Sequence, residues 1–142
     1  MVVTIYHNPA CGTSRNTLAM IRHADIEPVI IDYLATPPDR ATLTGLIARS
    51  GLAVRDVVRH KEAVYAALQL ADPATSDAQL IDAMLAHPVL INRPLVVVDG
   101  QVRLCRPSEL VLDLLPAPQH GAFSKEDGER VIDEQGQRVP HG

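Results

Sequence analysis

The order of predicted elements places this chain in the α/β class. Three observations carry that reading. A β-branched strand, an amphipathic helix and a second apolar strand open the chain. Two strands joined by Asp99-Gly100, then a helix, close it. The composition, 46% hydrophobic but 3% aromatic, supplies an aliphatic core for 142 residues, the size of one ordinary domain over residues 1–142.

Residues 2–6 are β-branched and aromatic and read as a strand, stopped by Asn8-Pro9. Ser14 is placed to cap a helix that begins just after it. Leu18 and Ile21 share the apolar face of that helix, with Arg15 and Arg22 on others. Residues 25–28 break the pattern and residues 29–33 form a second strand. Thr36 then serves as N-cap and Pro37 as first residue of a helix whose apolar face is Leu43, Leu46 and Ile47. Gly51 ends it. Residues 52–70 read as helical in pieces. Ser76-Asp77-Ala78-Gln79 has the spacing of a capping box, and Leu80, Ile81, Met84 and Leu85 follow on one helical face. His87-Pro88 closes that helix. Leu95-Val96-Val97-Val98 is a strand by composition, and residues 101–104 return beside it. Pro107 and Ser108 open a helix with Leu110, Val111, Leu114 and Leu115 on its apolar side. Beyond Pro116-Ala117-Pro118 the chain turns polar, so residues from about 117 to 142 read as a surface extension with a small turn at Gly136.

This β-α-β…β-β-α order is that of a thioredoxin-like core, a mixed four-stranded sheet flanked by helices. Residues from about 37 to 87 are then a helical insertion between the second and third strands. Such a fold puts its reactive sulfur between the first strand and first helix, where Cys11 falls.

Several functions are excluded by composition. The formal net charge of −4, with no Trp, one Phe and three Tyr, gives neither a basic surface nor an aromatic platform for nucleic acid. The two cysteines, Cys11 and Cys105, are too few to staple a secreted domain and form no C-x-x-C pair, so no metal site is expected. The first residues lack the positive and apolar regions of a signal peptide. No apolar run approaches ~18 residues, so no membrane span is expected. The expected compartment is the reducing cytoplasm, where a lone thiol stays reduced.

The cysteine loop reads His7-Asn8-Pro9-Ala10-Cys11-Gly12-Thr13-Ser14-Arg15. A cysteine just before a helix faces amides that have no partner within the helix, and these favour negative charge. A free thiol with a pKa of ~8.5 is only a few per cent thiolate at neutral pH. Lowering by two units, at ~1.4 kcal/mol each, makes it mostly thiolate. The same amides can hold an oxyanion. Gly12 lets a ligand approach the backbone. Ser14 can cap the helix or hydrogen-bond the sulfur, and His7 and Arg15 can add positive charge. His7 also fits a plain strand-end histidine. A dithiol enzyme would carry its second cysteine where Ser14 stands, and a C-x5-R phosphate loop would have arginine in place of Thr17. The sulfur therefore needs another grip on an anion and an external thiol.

Arginines are the candidates for that grip, because a guanidinium offers paired donors and permanent charge. Arg93-Pro94 precedes the third strand and Arg106-Pro107 follows the fourth. Proline restricts the residue before it, so both side chains leave a constrained backbone. In a thioredoxin-like fold, the proline before the third strand is usually cis and lies beside the reactive cysteine, which aims Arg93 at the loop. Arg59 would come from the helical insertion. Cys105, beside Arg106, fits either a resolving thiol or a small residue at a strand end.

These stretches resemble the glutathione- and glutaredoxin-dependent arsenate reductases. The resemblance rests on residues 7–18, on Pro88-Val89-Leu90-Ile91-Asn92-Arg93-Pro94, on Arg103-Leu104-Cys105-Arg106-Pro107-Ser108-Glu109 and on Gly121-Ala122-Phe123-Ser124-Lys125-Glu126-Asp127-Gly128-Glu129. It implies Cys11 as nucleophile, with His7 helping to keep it ionised and Ser14 assisting. It implies that Arg59, Arg93 and Arg106, with Gly12 and Thr13, bind arsenate and its thiol adduct. Cys105 would not be catalytic. Glutathione would be a co-substrate, glutaredoxin a partner, and no cofactor would be tightly bound. The reaction would be arsenate reduction for arsenic detoxification. A monothiol glutaredoxin-like carrier and a thioredoxin-like regulator are the alternatives, disfavoured by the insertion, the three arginines and Ser14.

Overall fold

The computed structural model describes residues 1–116 and 121–139. The opening unit is strand β1 (Val3–His7), helix α1 (Gly12–His23) and strand β2 (Val29–Asp32). Four helices follow: α2 (Arg40–Ser50), α3 (Val54–Val57), α4 (Ala63–Ala67) and α5 (Asp77–Ala86). Strands β3 (Leu95–Val98) and β4 (Gln101–Leu104) and a 3-10 helix over Ser108–Leu114 complete the core. The sheet order is β2-β1-β3-β4, with β1 parallel to β2 and antiparallel to β3, and β3 antiparallel to β4. This is the mixed four-stranded sheet read from the sequence. Among the described residues no helix is long and apolar enough to cross a membrane.

Strand alternation gives the sheet two apolar faces. Val3 and Ile5 of β1 pair in register with Val98 and Val96 of β3, and all four pack against Leu18, Met20 and Ile21 of α1 and Val111 of the 3-10 helix. The intervening Tyr6, Leu95, Val97, Val102 and Leu104 face the other way, onto Leu43, Leu46 and Ile47 of α2 and Leu80 and Met84 of α5. The helical insertion is therefore the layer that covers the second face of the sheet.

Most boundaries fall where the residues direct them. Gly51 ends α2 with a positive φ of 75°. Ser76 and Gln79 form the expected capping box. Two caps differ. Helix α2 begins at Arg40 rather than Pro37, because the Asp39 carboxylate, not Thr36, accepts from the Thr42 amide at 2.8 Å. Helix α1 begins at Gly12 with Cys11 at the N-cap, so Ser14 lies inside its first turn. Its hydroxyl is already taken by groups of the preceding loop. The last helix is of the 3-10 type and buries Ser108, Glu109 and Val111, with Leu115 buried just past its end, while Leu110 and Leu114 stay half-buried. A three-residue period turns a different set of side chains inward than an α-helix would.

The C-terminal region is the main correction. Ala117 and Pro118 lie outside the described residues. Among the described residues beyond them the segment is largely exposed, as expected, but it also packs back onto the core. Strands β5 (Phe123–Ser124) and β6 (Arg130–Ile132) make a small hairpin that places Val131 and Ile132 at 2% and 0% exposure in the α1-side core. Gly136 sits in the expected turn, with φ of 79°. Val131-Ile132 is too short an apolar step to show a period within a polar segment. Ile132→Ala should lower unfolding stability by roughly 2–5 kcal/mol in urea denaturation. Glu134→Ala, on the exposed side, should change it by less than about 0.5 kcal/mol.

Candidate active site

Sheet register brings the site together. Tyr6 near the end of β1 pairs with Leu95 at the start of β3, and Leu95 pairs with Leu104 at the end of β4. The cysteine loop after β1, Arg93-Pro94 before β3 and Arg106 after β4 therefore meet at one end of the sheet. Both Arg93-Pro94 and Arg106-Pro107 are cis.

The loop is built by Asn8. Its side-chain oxygen accepts from the Ala10 amide at 3.0 Å and its carbonyl accepts from the Cys11 amide at 3.0 Å, an Asx-type turn. This delivers Cys11, half-buried, to the start of α1. Burial alone raises its pKa. The Ser14 amide, Arg106 and Arg93 outweigh that, and the net effect holds the thiol below its ordinary value. Arg106 Nη1 lies 3.7 Å from Sγ and also donates to the Arg93 carbonyl at 3.0 Å, which fixes its direction.

His7 is placed differently from expectation. It is buried, with Nδ1 2.6 Å from Ser14 Oγ, and Ser14 Oγ also accepts from the Asn8 amide at 3.1 Å. Burial holds the imidazole below its ordinary pKa, so at neutral pH it is predominantly uncharged. His7 thus reaches the loop through Ser14 rather than by adding positive charge. Arg15 is also committed elsewhere. Its guanidinium grips both carboxylate oxygens of Glu126 at 2.9 and 3.0 Å and donates to the Pro9 carbonyl at 3.0 Å.

Arg93 is 7% exposed; its Nη1 donates to the Val89 carbonyl at 3.1 Å and its Nη2 lies 3.5 Å from Glu62 Oε1. Its Nε is buried without a hydrogen-bond partner among the described residues. Arg59 reaches the same Glu62 oxygen, Nε to Oε1 at 3.2 Å. Its backbone is pinned to the segment before β3: the Arg59 amide donates to Leu90 at 2.7 Å, and the Asn92 amide donates to Val57 at 2.8 Å. A cleft of about 300 Å³ lies here, with Arg59, His60, Lys61, Asn92 and Arg106 in its wall. Thr13 lies in the first turn of α1, where its carbonyl accepts from Thr17 Oγ1 at 2.8 Å. A Cβ added to Gly12 would meet Arg15 Nη2 at 3.7 Å, an ordinary contact, so the free loop has room for a side chain there.

Sequence reasoning missed three residues of this site. Asn8 was visible only as a turn former. Tyr33, fully buried, has its hydroxyl 3.4 Å from Asn8 Nδ2, a contact no sequence pattern announces. Glu62 carried a weak signal, standing three residues after Arg59. Cys105 is fully buried, and burial pushes its thiol up to about 12, so it offers no second reactive sulfur near neutral pH.

A sequence model of the ArsC family matches residues 6–114, the stretch from the end of β1 to the end of the 3-10 helix. The chain belongs to the ArsC family. Among its relatives, the arsenate reductase of Rhizobium meliloti (strain 1021) is 61% identical over 139 residues, covering 98% of this chain and 99% of that protein. The arsenate reductase of Escherichia coli (strain K12) is 59% identical over 137 residues, covering 96% and 97%. The solved arsenate reductase from Vibrio cholerae superposes with a TM-score of 0.78 at 47% identity, covering 81% of this chain and 98% of that one. The thioredoxin-like fold is thus that of the ArsC family.

The contrast between the two thiols is directly testable. Iodoacetamide at neutral pH should alkylate Cys11 in the folded protein and spare Cys105, with both modified after denaturation. Peptide mapping by mass spectrometry reads the sites. Modification of native Cys105 at a comparable rate would contradict the assignment.

Proposed function

We propose that this protein reduces arsenate to arsenite through a covalent adduct on Cys11, resolved by glutathione and glutaredoxin, as a step in arsenic detoxification. The observation that carries the reading is a half-buried sulfur held below its ordinary pKa by the Ser14 amide, Arg106 and Arg93. That arrangement supplies a nucleophile and donors for a tetrahedral oxyanion in one place. The arsenate reductase activity named for relatives at 61% and 59% identity supports the substrate.

Arg93 and Arg106, with Arg59 at the edge of the cleft, would bind the arsenate oxygens. The Cys11 thiolate attacks arsenic, an S–As bond forms, and one oxygen leaves as water after taking up protons. Glutathione displaces a second oxygen in the same way. A glutaredoxin thiolate then attacks the glutathione sulfur. The As–S bond breaks with its electron pair remaining on arsenic, which becomes trivalent, and a mixed disulfide leaves. Water replaces Cys11, restoring the thiol and releasing arsenite. Two thiols thus furnish the two electrons.

External thiols are favoured because the chain holds no usable second sulfur. Ser14 stands where a dithiol enzyme would have cysteine, and Cys105 is buried and raised. The need for a glutathione pool also favours a cytoplasmic setting. Gly12 and Thr13, in the first turn of α1, would offer their amides to the oxyanion. His7 would act on Ser14, keeping its hydroxyl oriented within the loop.

The test is a coupled assay with purified protein, arsenate, glutathione and glutaredoxin. Turnover should require all of them, and Cys11→Ser should abolish it. Equal turnover without glutaredoxin would refute the resolving sequence. Arg93→Ala or Arg106→Ala should each lower kcat/KM by about 10- to 100-fold, the size expected for one charge-assisted contact. Arg22→Ala, remote on α1, should leave it within about twofold. Because the thiol is lowered, the rate should persist through neutral pH and fall only as acid protonates Cys11.

A further inference from the structure

The arginine cradle already holds an anion. Glu62 Oε1 lies 3.2 Å from Arg59 Nε and 3.5 Å from Arg93 Nη2, so one carboxylate oxygen is shared by two guanidinium groups. Arg93 has a side-chain exposure of 8% and therefore needs a counter-charge. Glu62 meets that need poorly. The approach to Arg93 is longer than a normal hydrogen bond, and a single shared oxygen makes no two-pronged pair with either arginine. Meanwhile Arg93 Nε is buried with no acceptor among the described residues. The resting site thus combines a loosely held internal anion with a donor left over.

We propose that Glu62 is the affinity-setting residue of the oxyanion site: its carboxylate is an internal counter-anion that an incoming tetrahedral oxyanion must outcompete. It offsets part of the positive charge of Arg59 and Arg93 while the site is empty. An oxyanion with several oxygens can form two-pronged contacts with each arginine and reach Arg93 Nε, which Glu62 does not. The cost of displacing Glu62 falls on every tetrahedral oxyanion alike, phosphate and sulfate included. It thereby lowers occupancy of the site by any such oxyanion, reducible or not, without discriminating among them. The proposal rests on the arginine cradle being the oxyanion site of the proposed reaction.

The test uses inorganic phosphate, which binds without being reduced. Its dissociation constant is read from the protection it gives Cys11 against iodoacetamide, so no turnover is needed. Glu62→Gln keeps the shape and removes the charge. It should tighten phosphate binding by about threefold or more, the scale of a partly exposed ion pair, and lower the KM for arsenate in the same direction. Glu62→Asp, which keeps the charge, should bind phosphate more nearly as the wild type does. Glu27→Gln, which breaks the surface pair with Arg22, should leave phosphate affinity unchanged. Phosphate binding in Glu62→Gln equal to or weaker than wild type would overturn the proposal and make Glu62 a positioning residue for the arginines. Absence of protection in every variant would overturn the cradle as well, so the two failures are distinguishable.

Discussion

A negative charge on the sulfur of Cys11 is the condition on which the site depends. Half-burial opposes that charge, so the fold must supply donors from elsewhere. They come from three separated parts of the chain: the Ser14 amide in the first turn of α1, Arg93 before β3 and Arg106 after β4. The register of β1 with β3, and of β3 with β4, makes these parts neighbours. The sheet order is thus a requirement of the chemistry as well as of packing. The donor from Arg106 to the Arg93 carbonyl ties two of the three parts to each other.

Around this centre, each layer has a mechanical task. The insertion covers one face of the sheet with Leu43, Leu46, Leu80 and Met84, and its segment between α3 and α4 carries Arg59 and Glu62 toward Arg93. On the other face α1 is clamped by the C-terminal hairpin. Glu126 holds Arg15 through two oxygens, and its amide donates to Asn16 Oδ1 at 2.9 Å. Lys125 reaches the nearly buried Glu109 at 2.9 Å. The exposed Arg15–Glu126 pair adds little stability by itself. Its value is directional, because Arg15 also grips the Pro9 carbonyl and so links the hairpin to the cysteine loop.

The fold was legible in the sequence wherever local chemistry decided it. Val96 and Val98 declare a strand, Ser76 and Gln79 a helix start, and Gly51 a helix end. Cys11 was legible because a lone cysteine between a strand and a helix has few bland explanations. Competition was not legible. Asp39, not Thr36, caps α2, because Asp39 is an equally good N-cap type standing three residues further on, and local chemistry alone does not rank the two. His7 lost its expected charge because burial, which no local pattern reports, outweighed its neighbours. Glu62 went unread because its importance lies in a residue 31 positions away, Arg93. The hairpin was missed because two buried residues, Val131 and Ile132, sit in an otherwise polar segment.

The most direct measurement of the central claim is a pH titration of thiolate ultraviolet absorbance in the folded protein. Cys105 remains silent in this titration until about 12, so the first thiolate transition belongs to Cys11. The account predicts its midpoint below the ~8.5 of free cysteine, moving upward in Arg106→Ala. A wild-type midpoint at or above the free value, unmoved by that substitution, would contradict it.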